Sequence, residues 1–527
     1  MDNSSQEGER KNKITEVKTF SVPFPLRENQ KSITINTNSH FNLSKEQIIK
    51  QAFKFHLEGN ISEATKSYQQ LINQGCNDHR IFSNYGVILK DLGKLQEAEL
   101  SIRKAIELNP DYAKAHSNLG IILRNLGNLK EAEISTRKAI ELDPNLAEAY
   151  SNRGNILKNL GNLKEAEKST RKAIELDPNL AEAYYSLSLI QYSDQNKIWQ
   201  NQLFSENILI NKSKKNQVDI YFARANIFHK EKKYNESSRY LELANELKLI
   251  LQKSTADSLI NKSKVLLIES NKKEINKKEH RNFSESIFIV GMPRSGSTLL
   301  ESILSMSNDV YDLGEVNILE ESFLEYKKFK QEINLAKLYE EKVNNKTELN
   351  ITTNKWLYNY QYAGIIARHI PNAKIIHCYR HPLDNILSIY RAHFARGNKY
   401  SSSLVDCTKV YLDQEEIMTQ YKDRFRAKIY DLNYDFLVSN PNKGIKSLIS
   451  WLGWEWNDSY LSPHQNPRTV STASSIQVRS PINSKSIGGW NNYKEMLKPA
   501  IEILTQTDKY QDITSQNQLR KLKKISR

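Results

Sequence analysis

The chain runs to 527 residues, more than one hydrophobic core holds, so two or more domains are expected. Its 76 Lys and Arg against 61 Asp and Glu give a formal charge of +15. That balance favours acidic partners: phosphate esters, acidic proteins or nucleic acid. Three cysteines, Cys76, Cys378 and Cys407, form no CxxC or Cys/His cluster, which argues against a zinc or disulfide framework and fits a reducing cytosol.

Residues 1–42 are polar and without sustained periodicity, which predicts a disordered segment. They lack the apolar core of a signal peptide. No run approaches the roughly 18 apolar residues of a membrane helix, so a cytoplasmic chain with no membrane span is expected. From Leu43 a repeat takes over. Pro110, Pro144 and Pro178 lie 34 residues apart, as do Ala64, Ala98, Ala132 and Ala166, and Gly86, Gly120 and Gly154. The small residues let the first helix of each unit pack closely on the second, and the proline separates units. The period resembles the tetratricopeptide repeat, a helix-turn-helix unit. A degenerate unit is read at 45–78, clear ones at 79–112, 113–146 and 147–180, and a fading one from 181, within a repeat region of 43–200. Residues 201–280 hold a divergent helical pair, Val218 to Lys248, and then a helical linker rich in Lys, Asn and Glu.

At Ser286 the texture changes to alternating strand and helix signals, predicting a parallel α/β domain over 281–510 and a basic tail over 511–527 with Arg520, Lys521, Lys523 and Lys524. "SIFIVGMPRSGSTLLESIL" reads as strand, glycine-bearing loop and helix. Gly291 and Gly296 have P-loop spacing, yet Ser297 stands where a nucleotide triphosphatase needs Lys, and the loop's basic residue is Arg294. Arg294, Ser295, Gly296, Ser297 and Thr298 offer backbone N–H groups, hydroxyls and one charge to an anion at a helix start. Ser297, and the lack of a clear Walker-B aspartate, weaken a nucleotide-kinase reading. "IIHCYRHPLDNILSIYR" places Arg380 after a second strand and Ser388 inside a helix starting near Pro382, a pair suited to a second phosphate. A third strand and an amphipathic helix follow in "AKIYDLNYDFLVSNPNKGIKSLISWLGW". Singly, these residues have plainer readings: a strand-to-helix turn, a surface ion pair, a helix-surface hydroxyl.

Together, "GMPRSGST" and "RHPLDNILS" resemble the two phosphate-binding motifs of the sulfotransferase family, which uses 3′-phosphoadenosine 5′-phosphosulfate (PAPS) and needs no metal. "LGE" with Glu315, "TTNKW" with Lys355, "YDLNYDFL" with Tyr434 and "SSIQVRSPINSKSIGGW" from Ser474 resemble the tyrosylprotein sulfotransferase branch. The implied architecture is multidomain: an N-terminal all-α tetratricopeptide-repeat solenoid and a C-terminal α/β, P-loop-like parallel-sheet sulfotransferase domain. The resemblance implies that the first motif holds the phosphosulfate, that Arg380 and Ser388 hold the 3′-phosphate, and that Tyr434 and Lys485 join the cofactor contacts. Glu315 is the candidate base for the acceptor hydroxyl. The resemblance further implies that Arg294 and Lys355 stabilise the developing charge and that Ser474 donates to the leaving phosphate. Plainer readings make Glu315 a helix-end charge before "VNILEE" and Lys355 a solvated lysine. The pattern departs at Leu357, where relatives have Pro, and at Gly488 and Gly489, where a basic residue is expected; Lys485 or Arg479 is the substitute. Should Glu315 not be the base, His377 is the next candidate.

Protein tyrosine, carbohydrate and small hydroxyl compounds all stay open as acceptors, and the rival reading is a repeat scaffold with a degenerate, non-catalytic domain. In this repeat family the first helices line the inner wall. Lys90, Arg124 and Lys158 hold equivalent positions there, beside Asp91, Asn125 and Asn159, and predict a groove for a protein partner or acidic peptide acceptor. No nucleic-acid partner is expected.

Overall fold

A computed structural model describes residues 45–190, 197–271, 283–329, 334–394, 397–466 and 477–514, together with Arg468, Thr472 and Ser474. The polar segment 1–42 and the basic cluster at 520–524 lie outside the described residues. The chain divides into two compact units, Met1–Leu157 with Lys168–Leu180, and Lys158–Glu167 with Ala181–Arg527.

Among the described residues the first unit is built of helices. Lys45–Leu57 pairs with Ile61–Asn73, His79–Asp91 with Leu95–Leu108, and Ala113–Leu126 with Leu129–Leu142. The small residues of the 34-residue period sit where helices touch. Ala64, Ala98 and Ala132 are fully buried. A methyl added at Gly86 would lie 2.7 Å from Ile102 Cδ1, and one at Gly120 would lie 2.4 Å from Thr136 Cγ2. Ser101 Oγ donates to Phe82 O at 2.8 Å, tying the second helix of one unit to the first. The next unit is built from Ala147–Leu160 and Leu163–Leu176, and Asn152 Nδ2 donates to Ser117 Oγ at 2.9 Å, linking successive first helices.

The second unit holds a five-stranded parallel sheet. Its strands are β1 (Glu285–Gly291), β2 (Val310–Asp312), β3 (Ile351–Asn354), β4 (Ala373–Tyr379) and β5 (Ile429–Asn433), in the order β2-β3-β1-β4-β5. Successive β1 side chains enter opposite cores, as a pleat requires. Phe288 and Val290 pack with Phe323, Tyr339 and Tyr421. Ile287 and Ile289 pack with Leu300, Ile303 and Leu448. Cover on both faces explains why the strand reads as an unbroken apolar run. Three strands were expected from sequence; β2 and β3, of three and four residues, are additional and too short to show a period.

The divergent helical pair, Lys214–Lys230 and Tyr234–Leu251, shares a third core with the sheet domain. Val218, Phe222 and Leu241 pack with Leu383, Ile386 and Leu387 of helix Pro382–Tyr390. Asn245 Nδ2 donates to Tyr390 O at 3.0 Å, and His393 Nε2 lies 2.8 Å from Asp219 Oδ1. The stretch read as linker forms helix Ala256–Glu269, whose Leu266 enters the Phe288 core and whose Leu259 carbonyl accepts from Gln361 Nε2 at 2.9 Å. Among the described residues no helix is long and apolar enough to cross a membrane.

Candidate active site

Each strand of the parallel sheet is followed, at its carboxyl end, by one of the residues singled out from sequence. In sheet order they are Glu315 after β2, Lys355 after β3, Arg294 after β1, Arg380 after β4 and Tyr434 after β5. The chain leaves β1 toward β2 and leaves β4 toward β5, so β1 and β4 flank the topological switch point, the position where open α/β sheets bind ligands.

The loop after β1 is tightly constrained. Gly291 has φ 136° and a methyl there would lie 2.3 Å from the Cys378 carbonyl oxygen of β4. Gly296 has φ 94°, and a methyl there would lie 2.2 Å from Cδ2 of the Tyr434 ring. Arg294 itself has φ 66°, a left-handed conformation uncommon for a side-chain-bearing residue. Helix Ser297–Leu304 starts directly after Gly296, with Ser297 and Thr298 buried in its first turn. Thr298 Oγ1 lies 3.3 Å from Thr472 Oγ1.

Arg294 joins two distant stretches through three bonds. Its Nε donates to Ser388 Oγ at 3.1 Å, Nη1 to Ser474 Oγ at 2.5 Å and Nη2 to Gln477 Oε1 at 3.1 Å. Ser388, paired with Arg380 in the sequence reading, is thus held by Arg294. Burial, then the positive charges of Arg380 and Arg391, pull the Arg294 guanidinium down to about 10. Arg380 is buried, stacks over the Tyr434 ring at 4.8 Å and donates to the Ser486 carbonyl at 2.9 Å. Its Nε and the buried Ser295 Oγ have no hydrogen-bond partner. Like-charged guanidiniums and orphaned donors around one loop are what an anion would satisfy.

Lys355 is 1% exposed and donates to Glu315 Oε1 at 2.7 Å, while the Glu315 side chain is 49% exposed. Burial works to lower the Lys355 ammonium, but Glu301 and Glu315 hold it above the usual lysine value. It is therefore no solvated surface lysine. Glu315 precedes the helix Ile318–Lys328, whose N-cap is Asn317, and lies outside its first turn.

The C-terminal segment closes on the same region through backbone groups. Gly488 N–H and Trp490 N–H donate to the Asp384 carboxylate at 2.7 and 2.9 Å, and the Trp490 ring stacks on His381. Tyr434 and Ser486 hydroxyls lie 3.0 Å apart. Lys485 is exposed, its backbone N–H bonded to Asn483 Oδ1 at 3.3 Å. Arg479 is engaged by the carbonyls of Asn466 and Arg468 at 2.8 and 2.6 Å. His377 is buried within β4, with Nδ1 3.0 Å from Asp431 and Nε2 2.7 Å from Gln414.

Sequence reasoning missed Gln477, Asp384 and a buried ion network around Glu301. Glu301 Oε2 accepts from Arg468 Nη2 at 3.0 Å and lies 3.7 Å from Lys355 Nζ, and Arg468 Nη1 also donates to Asp312. The available signal was the one charged residue, a glutamate, in the buried helix "STLLESIL", since such a group is buried only when paired.

The fold and site define a parallel α/β domain that gathers guanidinium groups, hydroxyls and a lysine–carboxylate pair at the carboxyl ends of its strands, in a chain that also holds helical repeats. The chain carries a sulfotransferase-family domain and tetratricopeptide repeats: the family described as "Sulfotransferase family" matches residues 286–354 and 334–458, and the tetratricopeptide repeat matches 79–112, 113–146, 147–180 and 218–249. A protein of Aquifex aeolicus (strain VF5), described as uncharacterized, is 32% identical over 260 residues, covering 43% of this chain and 34% of that protein. The protein-tyrosine sulfotransferase of Drosophila melanogaster is 24% identical over 231 residues, covering 39% of this chain and 46% of that one. The chain thus spans about a third and under half of these two relatives. Among solved structures, the sulfotransferase domain of the Synechococcus PCC 7002 olefin synthase aligns with TM-score 0.34 and 18% identity, covering 44% of this chain and 98% of that one.

Proposed function

We propose that the sheet domain transfers a sulfuryl group from PAPS to an acceptor hydroxyl, with protein tyrosine as the acceptor class. The observation that carries this reading is the Arg294 guanidinium, bonded at once to Ser388 and Ser474 beside Arg380. Two guanidiniums repel each other, and a phosphate ester between them removes that cost.

The residues fit the donor. Ser295 and Gly296 lead into the start of helix Ser297–Leu304, where the N–H groups of Ser297 and Thr298 lie in the first turn, a place that favours a phosphosulfate. Arg380 supplies the charge for a 3′-phosphate: its Nε makes no hydrogen bond and has only the Asp435 carboxylate at 3.9 Å. Tyr434 is a flat wall against the loop and beneath Arg380. Lys485, exposed beside the Tyr434–Ser486 contact, is the remaining cofactor contact in this reading. Bound PAPS supplies an electrophilic sulfur with 3′-phosphoadenosine 5′-phosphate as leaving group.

The chain's own part is proton and charge handling. Glu315 takes the proton of the acceptor hydroxyl as its oxygen bonds to sulfur. Lys355 and Arg294 stabilise charge on the bridging oxygen and on the leaving phosphate, and Ser474 donates to that phosphate. Products are the sulfate ester, 3′-phosphoadenosine 5′-phosphate and a proton held at Glu315. The Drosophila relative's name supports tyrosine as acceptor. The repeats bind the protein partner or acceptor, with Lys90, Arg124 and Lys158 as the groove's cations.

The test is incubation of the full chain with sulfur-labelled PAPS and three acceptors: a tyrosine peptide with acidic flanks, an oligosaccharide and a small phenol. Label in the peptide is expected. Label confined to the sugar or phenol moves the acceptor class, and no label in any of them overturns the reading.

A further inference from the structure

Burying a lysine ammonium is unfavourable unless close, unscreened charges compensate it. Glu315 alone compensates poorly, because water reaches its half-exposed carboxylate. The second carboxylate, Glu301 on helix Ser297–Leu304, is 3% exposed in its side chain and 3.7 Å from Lys355 Nζ. Other groups face this ammonium. Asp312 lies on β2, Arg468 on the segment that leads to Ser474, and the Cys378 thiol, pushed up by burial and so neutral, on β4.

The network reaches the segments that carry Lys355 and Glu315 and, through Arg468, the stretch that leads to Ser474. Glu301 Oε2 accepts from Arg468 Nη2 at 3.0 Å, and the same Nη2 donates to Ser302 Oγ at 3.2 Å. Arg468 Nη1 pairs with Asp312, on the strand that leads to Glu315. The Arg468 carbonyl accepts from Arg479 Nη2 at 2.6 Å, which ties Arg468 to a residue five positions after Ser474. Glu301 and Arg468 touch neither the loop anion site nor the exposed face of Glu315 in any of these contacts.

We propose that Glu301 and Arg468 are positioning residues for Lys355: Glu301 keeps the ammonium charged and fixed against Glu315, and Arg468 holds Glu301 while offsetting part of its charge. This deepens the sulfuryl-transfer reading and rests on it. The two residues act on Lys355 with opposite sign. Glu301 raises the ammonium's hold on its proton, and Arg468 lowers it. Because Lys355 is held above its ordinary value, the stability its charge contributes is present below the unfolded lysine pKa. That stability is lost as pH rises through the folded one.

The experiment uses the full chain and the variants Glu301→Gln and Arg468→Gln. With Glu301→Gln, kcat is expected to fall about 10- to 100-fold through misplacement of Lys355. Affinity for 3′-phosphoadenosine 5′-phosphate should stay within about 2-fold. The alkaline limb of the kcat profile should move to lower pH. With Arg468→Gln the limb should move to higher pH. A merely structural role moves both limbs the same way or neither, and that result overturns the proposal. A second readout needs no donor: the Tm gap between wild type and Glu301→Gln should narrow as pH rises above about 10, through the unfolded and then the raised folded lysine value. A gap constant in pH overturns the proposal, including where wild type transfers no sulfuryl group and the functional reading has failed separately. If Glu301→Gln does not fold, the limb of Arg468→Gln decides: movement to higher pH supports the network, and an unmoved limb sinks it.

Discussion

Glycine serves opposite ends in the two regions of this chain. Inside the repeat helices His79–Asp91 and Ala113–Leu126, Gly86 and Gly120 delete a side chain so that a neighbouring helix comes close. At the end of β1, Gly291 and Gly296 adopt φ values of 136° and 94° and bring backbone against the Cys378 carbonyl and the Tyr434 ring. The first use recurs at a fixed period and joins residues near in sequence. The second occurs once and depends on partners far along the chain: Arg294 meets Ser388 across 94 residues and Ser474 across 180. A solenoid can lose one contact among many equivalents. The sheet domain has a single copy of each part, so its substitutions should act on chemistry and those in the repeats on stability and docking.

The largest separation is expected at Glu315→Gln. The amide keeps the shape and a bond to Lys355 but takes no proton, so kcat should fall about two to four orders of magnitude. Affinity for 3′-phosphoadenosine 5′-phosphate, measured by calorimetry, should hardly change. Normal turnover would remove Glu315 as the base. His377 would then need both its present partners, Asp431 and Gln414, to give way.

Next comes Arg380→Ala. A charge-assisted phosphate contact contributes about 1.5–3 kcal/mol, so nucleotide affinity should drop roughly 10- to 100-fold. The variant also strips the cation from the Tyr434 ring and frees the Ser486 carbonyl. Unchanged affinity in a folded variant would take Arg380 out of the proposed 3′-phosphate site.

How much of this was readable from sequence follows the same division. The 34-residue spacing of Ala98 and Ala132 and of Gly86 and Gly120 reports contacts made locally, and the structure places those residues at helix–helix contacts. The strand–loop–helix at Ser286 and the helix starting at Pro382 were legible for the same reason, each being a local pattern. Strands β2 and β3 were not, because three or four residues carry no period. The bond from Arg294 to Ser388, in place of an Arg380–Ser388 pair, has no local signature. Nor has the Glu301–Arg468 pair, separated by 167 residues. Family resemblance pointed to Lys355 and Glu315; their ion pair and the burial of the lysine appear only once β2 and β3 lie side by side.

A smaller effect, on the repeat side, is expected at Gly120→Ala. Alanine improves helix propensity over glycine by about 1 kcal/mol. Its methyl, however, would meet Thr136 Cγ2 at 2.4 Å and the Ala132 carbonyl at 3.1 Å. Thr136 cannot easily turn away, because its hydroxyl is bonded to the Ala132 carbonyl at 3.0 Å. Overpacking of this kind costs about 1–3 kcal/mol, so the net change should be destabilising and visible as a lower Tm. Nucleotide affinity should be untouched. A rise in Tm would mean that the helices separate at no cost, and that the 34-residue glycine is not a packing device.

The smallest effect is expected from the triple variant Lys90→Glu, Arg124→Glu, Lys158→Glu. All three residues occupy the last turn of the first helix in their repeats. A cation there also complements the helix dipole, so reversal disturbs the helix end as well as any docking surface. Lys90 lies 3.1 Å from Asp91, and Arg124 Nη2 donates to Asn125 Oδ1 at 3.5 Å. A neutral control, Lys90→Gln, Arg124→Gln, Lys158→Gln, separates the two effects, since it removes the attraction without repelling an acidic segment. Each charge contact at these partly exposed positions contributes on the order of 1 kcal/mol or less. KM for an acidic protein acceptor should therefore rise about 3- to 10-fold with the Glu variant and less with the Gln control. Turnover on a small phenol should stay as in wild type. Salt screens such contacts over about 10 Å at 0.1 M, so the difference should fade as ionic strength increases. Equal KM for all three proteins at low salt, with the repeats still folded, would move acceptor docking away from these cations and onto another face of the repeats.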